Sequence, residues 1–270
     1  MLIKKNEREM PAAGGDDVAV ALFLFAHQDD EFAIFQKIAE EKQKGRRVVC
    51  IYFTSGVPAG GDATRRNDES RGVLQEFGIA AGDIHFAGEQ LDIPDGGLQE
   101  HIFAAADYLE TQLDLIGTPA SVYLLAWEGG HPDHDVLHAC SLHVLHDRGL
   151  LPLVRQFALY NNYHCPWQFF RVMSPLAANG PVEATPISWR QRIRFLSYCL
   201  RYPTQRVTWI GLFPFVLWHF VLNGRQQVQA ASIARIGQAP HGGTLYYEKR
   251  QFSTWKMVDA KLKQWLAARS

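Results

Sequence analysis

Val18-Ala19-Val20-Ala21-Leu22-Phe23-Leu24-Phe25-Ala26 is an unbroken apolar run, and it stops abruptly at His27-Gln28-Asp29-Asp30-Glu31. A short apolar run ended by polar residues reads as a strand buried on both faces of a parallel sheet. In open α/β sheets ligands bind beyond the carboxyl ends of the strands, and this His/Asp cluster lies there. A histidine and a carboxylate three residues apart at a strand end can grip one divalent metal, which leaves the acid between them free to handle a proton.

The neighbouring segments repeat the strand-then-helix rhythm. Glu31 to Gly45 carries Phe32, Phe35, Ile38 and Ala39 at helical spacing, with Lys42 and Lys44 before a closing glycine. Arg47 to Thr54 is the next buried strand, Ser55 to Thr64 a loop, Arg65 to Phe77 a helix ended by Gly78, and Ile84 to Ala87 a short strand. A loop over Glu89 to Gly97 carries Asp92 and Asp95, and Leu98 to Ile116 is amphipathic. Ser121 to Ala126 is a fourth buried strand, and it too ends in chemistry, at Trp127-Glu128-Gly129-Gly130-His131-Pro132-Asp133-His134-Asp135. A helix follows to about Arg148, and Gln156 to Asn161 reads as a fifth strand. The alternation predicts an α/β fold, a Rossmann-like, mostly parallel sheet flanked by helices with right-handed crossovers.

The last hundred residues differ in kind. From Ala184 to Tyr247 there is no Asp or Glu, while seven arginines occur. The sixteen residues Val207 to Leu222 are apolar and aromatic apart from Thr208, Pro214 and His219, short of the roughly 20 needed to span a bilayer. One reading is a helical, aromatic surface that makes peripheral contact with an anionic membrane through residues 189–222 or receives a lipid-linked substrate. The other is a core helix whose arginines are solvated or neutralised by acids elsewhere. Gly242 to Tyr247 reads as a turn and strand, and Phe252 to Ala268 as an amphipathic helix. The expected organisation is thus a flexible tail over 1–17, a catalytic core over 18–183, a basic, apolar helical insertion over 184–241, and a strand and helix over 242–270.

Composition narrows the class. A chain of 270 residues with 47% apolar and 20% charged residues can bury a large core. A net charge of −1 gives no reason to expect nucleic acid as a partner. Met1 to Asp17 lacks the apolar stretch of a secretory signal, and the four cysteines are widely spaced, so a reducing cytoplasm is expected, with the membrane face as a peripheral option.

In a parallel sheet the two clusters share one edge, so His27, Asp30 and a histidine of the second cluster can meet at one ion. Two imidazole nitrogens and a carboxylate oxygen form a catalytic zinc set with a position left open. Asp29 is then placed to accept a proton from water and return it to a leaving amine, and a second histidine to stabilise an oxyanion, better as the cation. The plain alternatives are that Asp29 and Asp30 cap the following helix and that His131-Pro132-Asp133 is a turn with a helix cap. Two such clusters, each directly after a buried strand, favour the site. His138, His143, His146, His219 and His241 read as packed or exposed residues.

His27-Gln28-Asp29-Asp30-Glu31 with His131-Pro132-Asp133-His134 resembles the A-H-P-D-D-E and H-P-D-H signatures of the zinc-dependent N-acetylglucosaminyl de-N-acetylase family (PIG-L/LmbE-like). The likeness runs from about Val18 to Leu145 and includes Arg66-Asn67-Asp68-Glu69 and Leu91 to Gly97. It implies that His27, Asp30 and His134 bind zinc, or another divalent metal such as iron, and that Asp29 is the general base. It also implies that His131 stabilises the oxyanion with Asp133 as its partner, and that Arg66 and Asp95 hold hydroxyls of an N-acetylated amino sugar. Gln28 stands where the signature has proline, which predicts altered loop geometry rather than a dead site. The expected function is removal of an N-acetyl or small acyl group from an amino sugar, with lipid- and nucleotide-linked glycoconjugates among the options. Other classes are a metal phosphoesterase, which needs a second ion, and a sugar- or membrane-binding protein with a vestigial site. The motifs leave oligomeric state open.

Overall fold

The computed structural model describes residues 18–167 and 169–269, so the tail expected over 1–17 lies outside the described residues. Among the described residues nine strands form: β1 Val20–Phe25, β2 Arg47–Tyr52, β3 Ile84–Phe86, β4 Ser121–Leu125, β5 Val154–Phe157, β6 Tyr160–Asn161, β7 Arg171–Val172, β8 Val182–Pro186 and β9 Arg225–Ala230. The α-helices are α1 Phe35–Gln43, α2 Thr64–Gln75, α3 Ala87–Gln90, α4 Ile102–Ile116, α5 Pro132–Asp147, α6 Trp189–Cys199, α7 Arg206–Trp218, α8 Ile233–Ile236, α9 Tyr246–Lys249 and α10 Trp255–Arg269.

Seven strands make one sheet in the order β3-β2-β1-β4-β5-β9-β8. The first five pair in parallel, as the apolar runs predict: Val20 lies opposite Arg47 and Phe25 opposite Tyr52, while Ala21 faces Ser121 on the other side. β1 and β4 have no exposed residue because helices cover both faces. Aromatic rings tie neighbouring strands of the sheet together, Phe23 against Tyr123 at 4.6 Å and Phe25 against Tyr52 at 5.1 Å between centroids. The chain leaves β1 towards β2 and β3, then returns to place β4 on β1's other edge. That reversal opens a crevice between the carboxyl ends of β1 and β4, and both His/Asp clusters are in it.

Several boundaries differ from expectation. The helix predicted from Glu31 begins as a 3₁₀ turn over Asp30–Ile34 and becomes α-helical at Phe35. The fifth strand breaks between Phe157 and Tyr160, because β6 leaves the main sheet to pair with β7. The expected turn and strand over 242–247 is a loop entering α9, whose Glu248 carboxylate accepts the Leu245 N–H at 2.9 Å. β8 runs across the division expected at 183/184, and β9 pairs antiparallel with both β5 and β8. The acid-free segment therefore completes the main sheet as well as supplying helices.

α6 and α7 settle which face is core. Phe195, Tyr198, Cys199, Trp209, Leu212 and Val216 are buried, whereas their other sides carry exposed apolar residues. After α7 the chain makes a π turn over His219–Asn223, and the Arg192 guanidinium donates to the Phe220, Gly224 and Ile187 carbonyls around it. No helix among the described residues is long and apolar enough to cross a membrane. All four cysteines are free.

Candidate metal centre and active site

The turn after β1 is built around Asp30. Its Oδ2 accepts the Ala26 and His27 N–H groups at 3.0 and 2.7 Å, which leaves Oδ1 facing inward, 3.4 Å from His134 Nε2. His27 Nδ1 lies 3.1 Å from the same His134 nitrogen and 3.7 Å from the Asp30 carboxylate. His27 Nε2 faces Asp133 and Asp95 oxygens, each at 3.1 Å. An N–H at Nε2 serves those carboxylates and leaves the Nδ1 lone pair directed at His134.

The two imidazole nitrogens are thus 3.1 Å apart, and the Asp30 carboxylate approaches His134 through Oδ1 at 3.4 Å and His27 through Oδ2 at 3.7 Å. Donors about 2.0–2.1 Å from a tetrahedral ion are separated by about 3.3 Å, so this set fits a zinc-like cation. The charge balance fits as well. Burial alone would lower the His27 pKa, yet Asp95, Asp133 and Asp30 raise it well above its usual value. Burial would raise Asp30, but His134 and His27 hold its carboxyl far below the usual range. Buried carboxylates this close require positive charge among them, from a proton or from a metal. The His131 ring also lies within 4.8 Å of His27 and His134, and a second overlapping group joins His27, Asp95, His131 and Asp133.

Asp29 stands apart from the donor set, as its place in the turn predicts. Its backbone is left-handed, φ 110°, which is uncommon outside glycine, and its N–H donates to Glu31 Oε2 at 3.0 Å. Burial pushes its carboxyl up to about 8 against the pull of Arg66, whose guanidinium is 3.7 Å away. A carboxyl titrating near neutrality can take a proton and give it back. Arg66 itself is buried and donates to the Gly56 and Gln28 carbonyls, so it fastens two loops while facing the cavity.

His131 precedes α5, with Pro132 at the first helical position, and its Nδ1 accepts the Asp133 N–H at 3.3 Å. That leaves a hydrogen on Nε2. Burial and the neighbouring His27 lower its pKa to about 4, so the resting group is a neutral donor rather than the imidazolium expected from sequence. Asp133 accepts the Gly96 and Leu98 N–H groups at 2.7 and 3.0 Å. Its nearer imidazole is His27, at 3.1 Å, with His131 at 3.8 Å. All eight residues singled out from sequence are therefore drawn to one place, although Asp133 serves His27 and the 95–98 loop more directly than it serves His131.

Further residues carry no motif. Asp135 Oδ1 accepts the Glu128 and Gly129 N–H groups, and buried Glu128 accepts from Leu159, Tyr160 and Asn161, fixing the loop after β4 against the chain after β5. Tyr202, between α6 and α7, donates to Glu31 Oε1 at 2.9 Å, and so reaches the Asp29 turn through Glu31. His138, His219 and His241 bond backbone carbonyls, the packing role expected of them.

The site opens into a cavity of about 490 Å³. One wall is polar, from His27, Asp29, Arg66, Asp95 and His131; a second comes from Tyr160, Phe170, Tyr246, Phe252 and the α7 residues Val207, Thr208, Gly211 and Leu212, with Arg250 over the Phe252 ring, and it adjoins the first where Phe252 meets His131 and Tyr160 meets His134. Of this second wall the sequence marks only the α7 part, which belongs to the apolar stretch read as a membrane or lipid-substrate surface; Tyr160, Phe170, Tyr246 and Phe252 carry no such signal.

Comparison with known proteins agrees with this fold. The zinc-inhibited form of teicoplanin deacetylase Orf2 superposes with a TM-score of 0.60 at 17% identity, over 78% of this chain and 97% of that one. The N,N'-diacetylchitobiose deacetylase from Pyrococcus horikoshii gives 0.51 at 17% identity, over 80% and 84%. GalB, the 4-carboxy-2-hydroxymuconate hydratase from Pseudomonas putida KT2440, gives 0.50 at 14% identity, over 80% and 96%. At such identities the likeness is one of fold, and the hydratase shows that this fold is shared by enzymes of different chemistry. No curated protein sequence matches the chain. The model of the PIG-L family, GlcNAc-PI de-N-acetylase, matches residues 22–145, so the segment that carries both His/Asp motifs is PIG-L-like, as its signatures imply.

Proposed function

We propose that the chain is a metal-dependent hydrolase that removes an N-acetyl or small acyl group from an amino sugar. The observation that carries this reading is the meeting of His27 Nδ1, His134 Nε2 and the Asp30 carboxylate within 3.7 Å, beside the buried Asp29, in a cavity. His27, Asp30 and His134 would hold the cation, with zinc favoured by the nitrogen and oxygen donors. When bound, the cation supplies Lewis-acid polarisation of the acyl carbonyl and activates water.

The residues of the chain do the rest. Asp29 takes one proton from water as its oxygen attacks the carbonyl carbon, and returns it to nitrogen as the C–N bond breaks. The acyl group leaves as the carboxylic acid, which ionises, and the released proton is taken up by the free amine, so the final products are a carboxylate and an ammonium group. His131, neutral at rest, donates from Nε2 towards the oxygen on which charge develops. Arg66 keeps the Asp29 carboxyl from rising further, and Asp95, at the polar wall, is placed to accept a sugar hydroxyl. Tyr160, Tyr246 and Phe252 offer aromatic faces to the apolar side of a sugar ring or to its aglycone.

A panel of N-acetylated amino sugars, free, nucleotide-linked and lipid-linked, tests the reading by release of amine and acetate alongside metal analysis. One ion per chain with amine release on at least one glucosamine derivative is expected. Phosphate-ester cleavage with two ions and no amide cleavage would replace the reading with the phosphoesterase, for which the second overlapping donor group provides a place.

A further inference from the structure

The outer side of α6 and α7 presents an apolar surface to water. Along α7 and the turn after it, Val207 is 81% exposed, Ile210 72%, Leu217 41%, Trp218 69%, Val221 44% and Leu222 62%. Their spacing of three to four residues, bridged by Pro214, puts them along one side, and no charged residue occurs between Arg206 and Arg225. α6 adds Trp189 and Ile193, and the residue that follows it Leu200, each at least 60% exposed. The loop carrying Trp167, 79% exposed, and Phe169, 51%, is beside α7, because Phe170 packs on Phe215 with centroids 4.8 Å apart. Single exposed apolar residues are ordinary; a continuous face of them marks an interaction surface.

Charge selects the partner. Of the seven arginines in the acid-free segment, Arg192 and Arg235 bond backbone carbonyls, Arg194 bonds Tyr198 and the Glu76 carbonyl, and Arg201 pairs with the Glu76 carboxylate at 2.7 Å. Arg190, Arg206 and Arg225 are exposed and have no side-chain partner among the described residues. They occur at the start of α6, at the start of α7 and just past the π turn, so they border the apolar face. A second copy docked face to face would bring unpaired arginines towards their own kind. Anionic lipid headgroups satisfy the cations while the acyl region receives Trp218 and Ile210.

We infer that this face seats the protein peripherally on an anionic phospholipid bilayer. α7 would then lie in the interface plane, since it is too short to span. The same helix lines the cavity through Val207, Thr208, Gly211 and Leu212, so seating brings the mouth of the site to the membrane surface. The inference is independent of the deacetylase reading, because binding is measured without turnover.

The test is flotation of the full chain with vesicles of phosphatidylcholine alone or mixed with phosphatidylglycerol. Wild type is expected to float with the mixed vesicles, less so as salt rises. Ile210→Asp with Trp218→Ser should cut recovery by about tenfold or more, and Arg206→Glu with Arg225→Glu by a similar or smaller factor. The substituted groups are exposed, and circular dichroism with an unchanged melting midpoint confirms that the variants fold. No flotation of wild type, equal recovery on phosphatidylcholine alone, or equal recovery of well-folded variants each overturns the inference. Sedimentation showing a dimer that Ile210→Asp dissociates, with no vesicle binding, assigns the face to a second copy instead.

Discussion

The two walls of the cavity are opposite kinds of structure. The wall formed by the β1 and β4 ends is made of buried charge: Asp29, Asp30, Asp133 and His134 are each less than 9% exposed. Groups like these are tolerated inside a protein only when each is paired or hydrogen-bonded, so their positions are set by one another. The wall formed by α7 and the chain after β5 is apolar and aromatic, partly open to water, with no charge network of its own. The first can hold a cation and move a proton. The second can select what lies against it. One fold can therefore keep its chemistry and change its substrate by altering only the second wall.

The sharpest way to break that division is at Asp29 and His134. Asp29→Asn keeps the shape of the turn and every proposed metal donor, so the ion content should stay at wild-type level while turnover falls by about 10²–10⁴-fold. His134→Ala removes the imidazole facing both His27 and Asp30, so metal content and turnover should be lost together. Metal analysis and amine release on the same preparations separate the two outcomes. Near-normal turnover in Asp29→Asn would remove the chemistry from the charged wall.

Glu128 is where the walls are joined, and its effect should be the next largest. Burial pushes its carboxyl up to about 7, although Asn161, Leu159 and Tyr160 hydrogen bonds pull it down. The folded protein then holds a proton that the unfolded chain releases at about 4.5. The resulting stability is complete below that value and is lost as pH rises through about 7. Glu128→Gln cannot ionise, so its stability relative to wild type should improve with rising pH across that window, by up to about 3 kcal/mol. Urea midpoints at several pH values measure this; a difference that is flat with pH would place the titration elsewhere.

Tyr202 tests whether the second region also serves the first. Tyr202→Phe deletes the hydroxyl that holds Glu31, whose other oxygen receives the Asp29 N–H. One hydrogen bond of this kind is worth about 1–1.5 kcal/mol, so kcat should fall about tenfold with KM little changed. A change confined to KM would make Tyr202 part of the substrate wall instead.

These contacts mark what was legible in the sequence. The ends of β1 and β4 were legible because uninterrupted apolar runs have one solution in an α/β protein, and polar residues directly after them have nowhere else to go. β8 and β9 were not. β9 reads Arg-Gln-Gln-Val-Gln-Ala, yet Gln226 and Gln229 are buried because they donate to the Ala33, Leu176 and Gly180 carbonyls. A polar residue satisfied by distant backbone leaves no periodic trace. Tyr202 and Glu31 are 171 residues apart, and no local pattern joins them. The α7 part of the aromatic wall was legible only as two alternatives, because an apolar helix with one face in the core and the other in water has the composition of a helix buried all round. The neutral His131 was missed because its Nδ1 hydrogen bond is a matter of local backbone geometry.

The smallest effect is expected where the chain departs from the signature that it resembles. Gln28, in place of proline, is fully buried and donates to Asn67 Oδ1 at 2.7 Å and to the Thr54 carbonyl at 3.3 Å; Asn67 in turn donates to Glu89. This chain ties the β1 turn to α2 and α3 by hydrogen bonds, where the signature uses a rigid ring. Gln28→Pro would leave Asn67 Oδ1 unpaired at a cost of about 1–3 kcal/mol. It would also remove Gln28 Oε1, itself buried without a partner, and would restrict the unfolded chain, which returns about 0.4–1 kcal/mol. The terms nearly cancel, so a loss of about 1 kcal/mol is expected by urea denaturation, with metal content and turnover nearly unchanged because no proposed ligand or base is touched. Gln28→Ala lacks the proline's compensation and should be the less stable of the two. If Gln28→Pro instead abolished metal binding, the charged wall would depend on a hydrogen-bond chain running through Asn67, and the boundary drawn here between chemistry and support would move outward to include α2.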